Sequence, residues 1–163
     1  MKHTFLLFLS LFVSASFVSC SEKGSDPEPV DPKTALLINK EWRCTADVIV
    51  GTNSTGASVT IDRYKDYPAC QKDDFIRFND DNTLFISEGP GKCQPNDPQT
   101  ASGSWSWNAD KTVITLTEPS LDFGNLGREL TGPADLTSSV FVVKQPFMKN
   151  GITGVRTVTY GAI

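Results

Sequence analysis

Two stretches of this chain, FIRFNDDNTLFI (75–86) and SWSWNADKTVITLT (104–117), each place short apolar runs on either side of a cluster of Asn and Asp. That arrangement specifies antiparallel hairpins, because Asn and Asp tolerate the backbone angles of tight turns and the flanking runs pair across them. The flanking sequence follows the same rule. Residues 41–50 alternate, with Trp42, Cys44, Ala46, Val48 and Val50 on one face and Arg43, Thr45 and Asp47 on the other, until Ile49 breaks the pattern. Val59 and Ile61 mark a weaker strand after a loop at 51–58, and further strands are expected at 126–131, 137–145 and 155–160. No 3.6-residue apolar period continues beyond the first forty residues, which argues against an all-α fold. Residues 34–40, TALLINK, read as one or two helical turns with Thr34 as the N-cap. A flat meander of eight or nine strands would leave two unpaired edges. Closure into an up-and-down antiparallel barrel is therefore the expected outcome.

The first residues read as an address. Met1, Lys2 and His3 precede an apolar run of about 14 residues ending at Ser19 and Cys20, short of the roughly 20 needed to span a bilayer as a helix. Residues 1–19 are expected to be a signal peptide, with an ordinary signal cleaved nearby as the alternative. Residues 21–33, SEKGSDPEPVDPK, carry Pro27, Pro29, Pro32 and four acids. Such a segment packs against nothing and forms a stalk reaching about 40 Å. The folded domain then covers 34–163, one domain in a chain of 163 residues.

Composition removes several functions. His3 is the only histidine and lies in the leader, so the mature chain lacks the base of Ser-His-Asp and Cys-His systems and the imidazole of His-ligated zinc. A net charge of −4 with no basic block argues against nucleic acid. Asp73-Asp74 and Asp80-Asp81 lack the alternate spacing and closing Glu of a calcium loop and read as solvated turn acids; no metal and no cofactor is expected. Cys70 and Cys93 lie at similar distances from the turn at 79–82, so pairing of that hairpin brings them to its open end, within disulfide reach; the loop of 23 residues is worth about 3 kcal/mol. Cys44 shares the face of Trp42 and reads as an unpaired small hydrophobe.

The segment FVSC (17–20) resembles the lipobox of bacterial lipoproteins, which implies diacylation of Cys20 after cleavage before it. The sequence from 39 to 118 resembles the small lipocalin-like domain lipoproteins of Bacteroidota-type bacteria. The resemblance is carried by KEW (Lys40, Glu41, Trp42) after LLINK, by PACQKDDFIRFNDDNTL (68–84), by GKCQPNDPQTASGSWSWNADKTVITLT (91–117) and by a final strand ending in Tyr160. It implies an eight-stranded up-and-down antiparallel barrel with a short N-terminal helix at one end, the Cys70–Cys93 bridge and an interior site for a small apolar molecule, without catalytic residues. Lys40 stands where lipocalins generally have Gly in Gly-x-Trp, and 121–133 is longer and richer in Gly than the pattern. The cation that packs over the opening Trp in larger lipocalins has two candidates here, Arg156 and Arg128.

The expected protein is a monomeric outer-membrane lipoprotein, facing the periplasm or the cell surface and held to the membrane by its lipid anchor. It is expected to bind a small hydrophobic ligand inside or at the mouth of the barrel, with Trp42, Phe75, Phe85, Trp105 and Trp107 as the candidate lining. The competing readings are a non-enzymatic surface module with a filled core, working through loops 51–58, 89–100 and 119–134, and, third, an enzyme using acids and tyrosines. The expectation is that it is not an enzyme.

Overall fold

A computed structural model describes residues 29–117, 129–131 and 133–163. The leader, Cys20, Arg128 and most of the segment 121–133 lie outside the described residues.

Helix α1, Pro32–Leu37, begins one turn earlier than expected. Its N-cap is Asp31, whose Oδ1 accepts hydrogen bonds from the backbone of Lys33 (3.0 Å) and Thr34 (3.1 Å), with Pro32 in the first turn. Strand β1 (Glu41–Thr52) follows, then β2 (Ser58–Asp62), a 3-10 turn at Tyr64–Asp66 and a short helix α2 (Ala69–Lys72). The two central hairpins are β3 (Phe75–Phe78) with β4 (Thr83–Ser87), and β5 (Thr100–Trp107) with β6 (Val113–Thr117). Short strands β7 (Glu129–Thr131) and β8 (Pro133–Leu136) precede the long hairpin of β9 (Val140–Lys149) and β10 (Ile152–Ala162). In the first turn Asn82 takes the expected positive φ of 64°, and Asp81 Oδ1 accepts from the backbone and hydroxyl of Thr83.

The ten strands of the described residues form one antiparallel sheet in the order β7-β6-β5-β4-β3-β1-β10-β9-β8, with β2 alongside β1. The first long strand therefore pairs with the last. β7 and β8 end the hydrogen-bonded path, and no ladder joins them among the described residues.

A β-bulge decides what β1 presents to the core. The β1–β10 register runs Cys44 against Tyr160 and then Ala46 against Thr159, leaving Thr45 as the extra residue. A one-residue insertion inverts every side chain beyond it. Trp42 is buried before the bulge, while Asp47 and Ile49 are buried after it, and Val50 is 54 % exposed. The single face assigned to Trp42 through Val50 is thereby corrected, and the break at Ile49 is explained.

The core is filled by interlocking rings. Phe78 meets Trp105 edge-on at 5.5 Å and Phe141 at 5.9 Å, Trp42 meets Phe141 at 5.7 Å, and Tyr160 stacks on Phe141 at 5.5 Å. Buried indole N–H groups need acceptors: Trp42 Nε1 donates to Leu37 O (2.8 Å) and Trp105 Nε1 to Asn79 O (3.0 Å). The first of these ties α1, with Leu37 and Ile38 buried, to the core at one end of the sheet.

Candidate functional site

At the opposite end of β1, three elements converge on one carboxylate. Asp47, turned inward by the bulge and fully buried, receives both arms of a guanidinium from β10: Arg156 Nε donates to Oδ1 (2.8 Å) and Nη2 to Oδ2 (2.7 Å). The Tyr67 hydroxyl, from the segment after β2, donates to Oδ2 at 2.6 Å. Arg63 caps the arrangement, its backbone N–H donating to Asp47 O (2.8 Å) and its Nη1 standing 3.7 Å from Oδ2. Burial works against the charge of Arg156, but the hydrogen bonds and charge of Asp47 outweigh it and raise its pKa. Burial, reinforced by the bond to Asp47, raises the Tyr67 phenol as well, so it remains a donor.

Cross-strand register places Ile61, Ile49, Arg156 and Gln145 in one row across β2, β1, β10 and β9. The next row outward is Val59, Gly51, Gly154 and Phe147. An added Cβ at Gly51 would collide with the backbone oxygen of Thr153, and one at Gly154 with that of Val50, so β1 and β10 approach too closely there for any side chain. A cleft of about 470 Å³ lies between β2 and β9, with Ile49, Ile61, Phe147 and Met148 among its apolar lining and Arg63 and Arg156 among its polar lining. That volume is typical of small-molecule sites. Beneath it, Cys44, Tyr67, Asp74 and Tyr160 border a cavity of about 20 Å³, room for a single water.

The aromatic residues singled out in the sequence do not gather at this cleft. Trp42 and Trp105 are buried in the core, and Trp107 is half-buried beside Trp105, ring centroids 6.4 Å apart, with Lys33 Nζ 5.4 Å above it. Phe75 and Phe85 stand on the other face of β3 and β4, 6.1 Å apart, with the Arg77 guanidinium 4.8 Å over Phe85. Ile76, Phe78, Leu84 and Ile86 take the inward positions instead. The cation over Trp42 is Lys40, its Nζ 5.5 Å from the ring, while Arg156 is committed to Asp47. What sequence reasoning missed is the Asp47 cluster and the cleft above it. Their signals were present: an acid inside an apolar strand, Ile49 out of phase, and Arg156 in step with Val158 and Tyr160.

The Cys70–Cys93 disulfide is formed, with Cα atoms 5.2 Å apart. Cys44 is free and half-buried; burial, with a contribution from Asp47, pushes its thiol up to about 11, far from the thiolate a nucleophile requires. Asp73 and Asp74 are not solvated turn acids. Gly89, at a φ of 61°, passes so close to the Asp73 carbonyl that a Cβ could not fit, and this crossing sets Glu88 beside the pair. Asp73 Oδ2 accepts from Gly91 N at 2.8 Å, but one oxygen each of Asp73, Asp74 and Glu88 is buried without a partner among the described residues. Burial, then the charges of Glu88 and Asp73, push the Asp74 carboxyl up from 3.8 to about 7. Because the folded state holds this proton more tightly than the unfolded chain, stability is highest below about pH 4 for this group and declines as pH rises towards 7. Asp74→Asn is expected to melt at a higher temperature than the parent at pH 8, by a smaller margin at pH 5, and at nearly the same temperature at pH 3. Equal differences at all three pH values would refute the assignment.

Among the described residues no three His, Cys, Asp or Glu side chains are grouped to hold a metal ion, and no helix is long and apolar enough to cross a membrane. Comparison with protein-family models, with curated proteins and with solved structures found no match.

Proposed function

We propose that this chain is an exported lipoprotein of the lipocalin-like type, anchored through Cys20 and monomeric, that takes a small hydrophobic or amphipathic ligand at the mouth of its sheet. The observation that carries this reading is the contrast between the two ends. The core around Phe78 and Phe141 is occupied by rings in contact, whereas about 470 Å³ stands open between β2 and β9. Closure of the strands into a barrel is part of the reading. It is supported by the pairing of β1 with β10 and by the approach of the β7 backbone to within 8 Å of β9, which brings the two ends of the path near each other. The helix over one end and the disulfide at the β3–β4 hairpin are features that the family resemblance implied.

The test uses the full chain, produced in a host that processes lipoproteins. Nile red, a neutral dye, is expected to bind saturably, and Phe147→Glu to weaken it by about tenfold or more, since a charge would replace half-buried apolar surface in the cleft. Radiolabelled palmitate is expected on the parent and not on Cys20→Ala. Absence of saturable uptake overturns ligand binding; unlabelled Cys20 overturns the anchor.

The filled core favours a second reading, a non-enzymatic cell-surface structural or interaction module. It predicts no saturable dye uptake and an intact fold in Phe147→Glu.

A further inference from the structure

Resting on the cleft as a ligand site, we infer that its ligand is an amphiphile with a carboxylate head, received by Arg63 with Lys149 at the rim. The cleft lining includes Arg63, Lys149 and Arg156, with the buried Asp47 bound to Arg156 behind them, a basic locus on a chain whose net charge is −4. Asp47 cannot neutralise Arg63 well. Its Oδ1 accepts from Arg156 Nε, and its Oδ2 accepts from both Arg156 Nη2 and the Tyr67 hydroxyl. Arg63 is left at 3.7 Å, beyond hydrogen-bond distance, with its side chain 28 % exposed. A guanidinium in this position presents its remaining donors to the cleft in the fork that matches a carboxylate.

The apolar part of the ligand has its own surface. Ile49 and Ile61 are cross-strand neighbours, and with Phe147 they line the cleft that Arg63 also borders. An acyl chain in the cleft would meet these three apolar side chains and would place one end beside Arg63. A neutral amphiphile would gain the apolar contacts without satisfying Arg63. A cationic one would add a like charge beside Arg63 and Lys149.

The experiment is isothermal titration of the full chain with decanoate, decanol and decyltrimethylammonium, each below its aggregation threshold. Decanoate is expected to bind about tenfold or more tightly than decanol, and the ammonium compound most weakly. Arg63→Gln is expected to remove the preference for decanoate over decanol, and Arg63→Lys to keep part of it. Lys149→Gln, at an exposed strand end where folding is not at risk, is expected to lower decanoate affinity severalfold and to reduce its salt dependence. Equal binding of decanoate and decanol, or an unchanged preference in Arg63→Gln, overturns the carboxylate inference and leaves ligand binding standing. Failure of all three amphiphiles to bind overturns both.

Discussion

Asp47→Ala is expected to cost about 3–5 kcal/mol, because it strips a buried guanidinium of its bidentate carboxylate. The loss is compounded: the Tyr67 hydroxyl loses its acceptor at 2.6 Å, and Arg63 its counter-charge at 3.7 Å. Against a total stability of about 5–15 kcal/mol, this moves an appreciable fraction of molecules to the unfolded state at 37 °C. Urea denaturation with a constant slope measures it. The paired change Asp47→Leu with Arg156→Met separates the cost of stranding a charge from the worth of the pair. A buried ion pair contributes little net stability over apolar residues of similar size, so the double variant is expected to recover most of the loss. It would retain the sheet and lose the polar floor of the cleft. A loss below about 1 kcal/mol in Asp47→Ala would mean that water reaches the pair, and that Arg156 is solvated instead of held.

What the sequence made legible was local. The hairpin of β3 and β4 follows from Asn and Asp at 79–82, and its closure explains the Cys70–Cys93 bridge. The β5–β6 hairpin follows from Asn108 and the turn after it, where Lys111 takes a positive φ. The cap of α1 was also written in the chain: Asp31 followed by Pro32 is a stronger start signal than Thr34, which instead donates to it. The face of β3 was ambiguous because FIRF offers an aromatic to both sides of the sheet, so periodicity could not decide between Phe75 and Phe78. The bulge at Thr45 was only half legible from period-two reasoning: Ile49 out of phase signals a break in the alternation, but its place at Thr45 is fixed only by the register against β10. The candidate site inherits that difficulty. Asp47 and Arg156 are 109 residues apart in the chain and meet only because the first long strand pairs with the last.

Trp42→Ala tests whether the core is solid, and the expected loss is again about 3–5 kcal/mol. The indole is fully buried, touches Phe141 edge-on and donates to Leu37 O, so truncation opens a cavity and releases α1 in the same step. If Trp42 instead bordered ligand space, the unfolding cost would be small and amphiphile binding would suffer. With a filled core the pattern reverses: stability falls steeply, while the affinity of the folded fraction for Nile red stays within about threefold, because the cleft at Ile49 and Phe147 lies at the far end of β1. Trp107→Ala is the control on the same end as α1. Its ring is only half-buried, so its loss should be well below that of Trp42. Two tryptophans with equal costs would mean that burial at this end does not govern stability, and a Trp42 variant that keeps its stability but loses Nile red would move the binding site from the mouth into the interior.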